Sequence, residues 1–202
     1  MRSLPLPSAP PFLTAIAAAR PNGPWFDGND RSESIARKWL RRKLLRNQQS
    51  TCGWCQAKIT LASSHAEHIR PKGNAAYAAL TFAIVNLIAC CGKSNSPTCG
   101  HFKQERVLAS WIHPYDTASL ESHFTYEIDG EMAPHSDLDS AAHAEALDAI
   151  DNILNLNESV LKSKREALID EILNTDIYAE LTHDDIFIIV GEFKPLIEQY
   201  AS

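Results

Sequence analysis

The sequence predicts an α+β, mostly helical chain, with a small metal-stapled core between an N-terminal basic helix and a helical C-terminal region. Three observations predict it. Helical periodicity over residues 32–47 carries a cationic solvent face. Residues 50–105 are dense in Cys, His, Gly and Asn but poor in periodicity, and apolar stripes at helical spacing run through residues 140–202. A stretch like 50–105 cannot bury a conventional core and commonly needs a metal to fold. The 202 residues suffice for one compact domain, or a small domain with an appendage.

Taken in order, residues 1–30 hold six prolines and the turn signals Pro21-Asn22-Gly23-Pro24, Asp27-Gly28 and Asn29-Asp30, which predict an extended arm. Pro5, Pro7, Pro10 and Pro11 break the segment around Phe12–Ala19, so it reads as an arm and not an export signal. Over 32–47, Ile35, Trp39, Leu40 and Leu44 are expected to face inward, with Ser32 or Ser34 capping. Outward stand Arg37, Lys38, Arg41, Arg42, Lys43 and Arg46, six cations with no intervening acid. A helix is expected over Phe102–Ile112, and a hairpin from Phe124 to Ile128 turning at Asp129-Gly130. After Ser140 come a stripe of Leu147, Ile150, Ile153 and Leu154, then a helix capped by Asn157 with Val160, Leu161, Leu168 and Ile172. A last helical segment starts at Thr182 or Asp184. The expected division is 1–30, 31–112 and 113–202.

Lys and Arg total 19 against 25 Asp and Glu, a net charge of −6 that at face value excludes nucleic acid. The distribution reverses that. Residues 1–111 carry 15 cations and 5 acids, so +10; residues 112–202 carry 4 and 20, so −16. Screening confines surface fields to about 8–10 Å, so the basic half can hold phosphates whatever the other half carries. No run of about 18 apolar residues occurs, so no membrane span is expected.

Cysteine chemistry supplies the first fixed points. Five cysteines, an odd number confined to positions 52–99, fit metal ligation in a reducing cytoplasm better than a disulfide framework. Cys52-Gly-Trp-Cys55 follows a cationic helix and a polar turn, without the strand that precedes a redox pair. With Cys90, Cys91 and Cys99 some forty residues on, it suits a closed four-thiolate zinc site. Between the two groups lies His65-Ala-Glu67-His68-Ile-Arg70-Pro-Lys72. On a strand its adjacent acid and imidazole point to opposite faces, one able to hold a divalent cation and the other to deprotonate water.

Together, CxxC, Glu67-His68-Ile-x-Pro-Lys72, Asn86-Leu-x-x-x-Cys91 and Cys99-x-His101-x-Lys103 resemble the HNH, or ββα-metal, endonucleases. The spacing is similar to the bacterial anti-phage branch, namely the HNH component of Septu-type systems and its retron-associated relatives. Phe124-Thr-Tyr126, Asp129-Gly130, and Asn155, Asn157, Leu161 and Arg165 extend the likeness over residues 32–175. The resemblance implies a ββα-metal core with structural zinc on Cys52, Cys55, Cys91 and Cys99, Cys90 being the alternative to Cys91. It implies His68 as general base, Asn86 as the residue fixing it, and Glu67 with His101 (alternatively Asn95) as ligands of catalytic Mg²⁺ or Mn²⁺. Arg37, Lys38, Arg41, Arg42, Lys43, Arg46, Arg70, Lys72 and Lys103 would contact DNA, or RNA, through phosphates. His65 reads as a structural or phosphate-contacting neighbour, and His113 as an ordinary surface or turn histidine. The acidic region would dock a protein, which the resemblance implies is an ABC-type ATPase. A competing reading is a non-catalytic zinc-ribbon-like nucleic-acid-binding or assembly subunit, which has no use for Glu67, His68 and Asn86 together.

Overall fold

A computed structural model describes residues 1–26, 31–92 and 96–201. The turn signals at 27–30 and the alternative ligand Asn95 lie outside the described residues. Within the proline-rich arm, Pro11–Ala19 forms helix α1, where an extended chain was expected. Pro11 begins that helix, where a missing N–H leaves nothing unpaired, and the Pro10 carbonyl accepts from Leu13 N at 2.9 Å. Nor is the arm loose. Leu4 N donates to the Pro114 carbonyl at 2.7 Å, and Met1, Leu4 and Leu13 are buried.

Helix α2, Arg31–Asn47, matches the expected span and buries Leu40 and Leu44 as expected, with Leu45 beside them. Ile35 and Trp39, expected inward, are 60% and 45% exposed. The reason lies in what α2 covers. It packs against strands β1 (Ser64–His68) and β2 (Leu87–Cys91), and Trp39 stands about 100° around the helix from its buried neighbour Leu40, off the covered face. The two strands pair antiparallel, with Glu67 opposite Ile88 and His68 opposite Leu87. Gln48, at the end of α2, donates to the Ala89 carbonyl at 2.8 Å and accepts from Ala89 N at 2.6 Å, so this side chain satisfies the outer edge of β2.

Helix α3 occupies Cys99–Lys103, not Phe102–Ile112. It ends because Gln104 turns to φ 51°, and turns carry the chain on through Leu108 and Ile112, both buried. β1, β2 and α3 make the ββα unit. Beyond it, strands β3 (Phe124–Tyr126) and β4 (Met132–Pro134) form the expected hairpin. Gly130 sits at φ 79°, and a Cβ there would fall 2.2 Å from the Lys162 carbonyl, so only glycine fits between hairpin and helix.

Helices α4 (Ser140–Asp148), continued by a π-turn to Ile153, and α5 (Ser159–Asn174) bury Ile150, Ile153, Leu154, Leu161, Leu168 and Ile172, while Leu147 and Val160 are exposed. Glu158, not Asn157, caps α5; Asn157 instead accepts from Met132 N at 2.8 Å and donates to its carbonyl at 3.0 Å. Fully buried Arg165 donates to the carbonyls of Gly130 and Leu156. Short α6 (Asp176–Ala179) leads to α7 (His183–Val190), which starts at Thr182 with a capping box, and to α8 (Lys194–Tyr200). The acidic region joins the ββα unit through Cys99 N to the Leu154 carbonyl at 2.7 Å and Phe193 N to the Gln56 carbonyl at 3.0 Å, and one apolar core runs through both. Among the described residues no helix is long and apolar enough to cross a membrane.

Candidate active site and thiol cluster

The thiols converge from three places. Cys52 and Cys55 lie on the turn after α2, Cys91 ends β2, and Cys99 opens α3 at φ 58°. Their sulfurs all lie within 4.8 Å of one another, with Cys55 Sγ 3.7 Å from Cys91 and Cys52 Sγ 3.9 Å from Cys99. Four sulfurs at ~2.3 Å from a shared tetrahedral centre stand about 3.8 Å apart, so spacing and donor chemistry both fit zinc. Burial pushes the Cys52 thiol up, but hydrogen bonds from Cys55, Cys90, Cys91 and Cys99 hold it well below the usual thiol range. Cys90 Sγ is 3.8 Å from Cys52 and accepts from Gly100 N at 3.3 Å. All five thiols are unbridged.

On the ββα unit, Glu67 sits at the centre of a second cluster. His65 Nε2 is 3.4 Å from its carboxylate and Lys103 Nζ is 3.1 Å from it; the His101 ring lies 4.4 Å from that of His65. Gly100 is what lets α3 approach, since a Cβ there would fall 2.6 Å from Glu67 Oε2. Burial works against the Glu67 carboxylate, but the His65 hydrogen bond and the Lys103 charge hold it below its ordinary range. The same carboxylate raises His65, despite burial. His101 is lowered, chiefly by burial and then by His65.

The strand's alternation separates His68 from this cluster. His68 is 5% exposed, its ring packed in a T against Trp25 at 4.5 Å, and Nε2 lies 3.0 Å from the Thr81 carbonyl. A carbonyl only accepts, so Nε2 carries the proton and Nδ1 keeps the lone pair. Burial, with smaller contributions from Lys72 and Lys103, pushes the imidazole down to about 4, so it is neutral near pH 7. Asn86 does not touch His68. It staples the loop beside it, accepting from Arg70 N at 2.7 Å and donating to the carbonyls of Arg70 and Leu80.

Several expected roles move. Lys103 is only 1% exposed and bound to Glu67, so it cannot meet a phosphate from solution. Arg70 spends its guanidinium on the carbonyls of Leu108, Ala109 and Ser110, holding the segment where a helix was expected. Arg41 is half-buried and donates to the Ser64 carbonyl at 2.8 Å. Lys38, Arg42, Arg46 and Lys72 are exposed, and Arg37 and Lys43 half-buried. His113 is buried beside Asp116 and not a surface histidine. His65 joins Glu67 and His101 more closely than its sequence position suggested. The signal was present in the two-residue spacing to Glu67, which puts both on one strand face.

No family profile matches the chain. It is 28% identical over 171 residues to a protein of Vibrio cholerae serotype O1 biovar El Tor named as a candidate HNH endonuclease of retron Vc95, covering 81% of this chain and 80% of the relative. The resemblance to a retron-associated HNH endonuclease stands. A match of that length cannot be confined to residues 31–112, so the likeness extends beyond the ββα unit.

Proposed function

We propose that the chain is a metal-dependent HNH-type endonuclease that hydrolyses phosphodiesters in DNA, with RNA the other substrate class. The supporting observation is His65 placed between Glu67, 3.4 Å from its carboxylate, and the His101 ring, 4.4 Å from its own, with neutral His68 next to Glu67 on β1. Glu67 with His101, and His65 as a further imidazole donor, would hold the divalent cation; one carboxylate with imidazoles suits Mn²⁺ as well as Mg²⁺. The chemistry such a cation supplies is neutralisation of charge on the scissile phosphate.

The chain's own residues do the rest. His68 Nδ1 accepts the proton of the attacking water, its ring oriented by the Thr81 carbonyl. Asn86 keeps that loop in register. Arg37, beside His65 in one pocket, binds a flanking phosphate. Cys52, Cys55, Cys91 and Cys99 would hold a structural zinc that ties β2 to α3.

In this reading the protein is a cytoplasmic effector of a bacterial anti-phage system with an ABC-type ATPase. Its acidic region supports docking to a protein partner, because Ile177, Ile188 and Ile189 are exposed there among carboxylates. Plasmid nicking in Mg²⁺ or Mn²⁺ tests the hydrolytic assignment. Nicking by the wild type that is lost in folded His68→Ala and Glu67→Ala supports it. Equal nicking by His68→Ala removes the base assignment, and no nicking under any divalent cation favours the non-catalytic nucleic-acid-binding module.

A further inference from the structure

Helix α2 carries its cations on two faces, and one of them turns away from the Glu67 cluster. Ser34, Arg37 and Arg41, spaced i, i+3, i+7, line a pocket of about 270 Å³ with His65 and Ala66. Trp39, Arg42, Lys43 and Arg46, spaced i, i+3, i+4, i+7, point roughly 160° away at 100° per residue. They line a separate groove of about 580 Å³ whose other wall is the N-terminal arm at Leu6, Pro7 and Ser8.

This groove is built. Lys43 Nζ donates to Ser8 Oγ at 2.9 Å, and the Asn47 amide donates to the Pro5 carbonyl, clamping the arm to the helix. Phe12 packs edge-on against Trp39 at 5.7 Å, fixing the indole, which is nonetheless 45% exposed. Arg42 and Arg46 are exposed, no acid pairs with either among the described residues, and no acidic residue lines the groove. An aromatic plane held beside unpaired guanidiniums is a combination in which each part fits a different part of a nucleotide.

We propose that this groove binds single-stranded nucleic acid, one base stacking on Trp39 and the flanking phosphates on Arg42 and Arg46. A free phosphate would leave the indole unused. A duplex keeps its bases stacked inside and offers only its backbone. The site lies apart from the proposed hydrolytic centre and does not depend on it.

The test uses the full chain without added divalent cation, so that no cleavage interferes. Binding of a fluorescein-labelled oligothymidylate of about 20 nucleotides is followed by anisotropy and by quenching of tryptophan emission, beside a duplex of equal length. Trp39→Ala is expected to weaken single-strand binding about tenfold, the scale of one lost base–aromatic stack, and to leave duplex binding within about twofold. Trp39→Tyr retains the affinity but loses the quenching. Arg42→Glu/Arg46→Glu weakens single-strand binding and flattens its salt dependence. Circular dichroism verifies that each variant folds. The proposal fails if Trp39→Ala binds the oligonucleotide like wild type, or loses single strand and duplex equally. It also fails if a poly-glutamate peptide binds in its place, which would make the groove a seat for an acidic protein segment.

Discussion

The rings of Trp25 and His68 meet in a T, centroids 4.5 Å apart and planes at 83°. The same indole stacks on Phe82 at 5.3 Å, and Arg20 lies over both Phe26 and Phe82 while pairing with Glu33 of α2. The arm thereby closes the face of β1 on which the proposed base resides. Trp25→Ala is expected to raise divalent-dependent nicking several-fold, and Trp25→Ala/His68→Ala to abolish it. Unchanged nicking in the single variant would show that Trp25 does not limit access.

Gly100 separates architecture from chemistry. A Cβ there meets the far end of a flexible side chain, the Glu67 carboxylate at 2.6 Å, so the fold can yield while the carboxylate is displaced. Gly100→Ala should reduce nicking at least tenfold, while urea unfolding shows a loss no larger than that of breaking the Glu67–Lys103 pair.

Lys103 and Glu67 form a buried pair at 3.1 Å. Removing the ammonium leaves a carboxylate without its main counter-charge, so Lys103→Met should destabilise by about 3 kcal/mol. If Glu67 faces a cation site, Mn²⁺ should recover part of that loss, as read by the denaturation midpoint with and without metal.

The thiol cluster predicts a metal stoichiometry. Cys52→Ser or Cys99→Ser should lower bound zinc and unfold residues 48–103, since structural zinc contributes on the order of 10 kcal/mol to folding. Cys90→Ser should keep the metal. Elemental analysis with circular dichroism discriminates the two, and zinc loss in Cys90→Ser would put Cys90 in place of Cys91.

His113 predicts a pH dependence of stability. Burial holds its imidazole below the ordinary value, with Asp116 opposing and Arg70 reinforcing. The unfolded chain therefore binds the proton first. The contribution is complete above about pH 6.5 and is lost as pH falls towards the lowered native value. His113→Gln should lack this part of the decline between pH 7 and 5 in otherwise parallel urea titrations.

Local chemistry made much of this protein legible in its sequence. Cysteine spacing pointed to the four thiols, alternation put Glu67 and His68 on opposite faces of a strand, and Asp129-Gly130 marked the hairpin; such signals act within a few residues and need no partner. Burial did not follow in the same way. Ile35, Trp39, Leu40 and Leu44 fit one apolar stripe by periodicity, yet only Leu40 and Leu44 are buried, because what packs against α2 decides which face of it is covered. Arg70 and Lys103 are cations in any sequence reading, but a carbonyl ladder takes one and a buried carboxylate the other. The arm's prolines suggested an extended chain, and neither its helix at Pro11–Ala19 nor the closing of Trp25 over His68 was legible there. The sequence by itself determined which groups could ligate, cap and turn. The tertiary structure alone decided which charges stay free and which face of the ribbon is open, because those depend on neighbours tens of residues away in the chain.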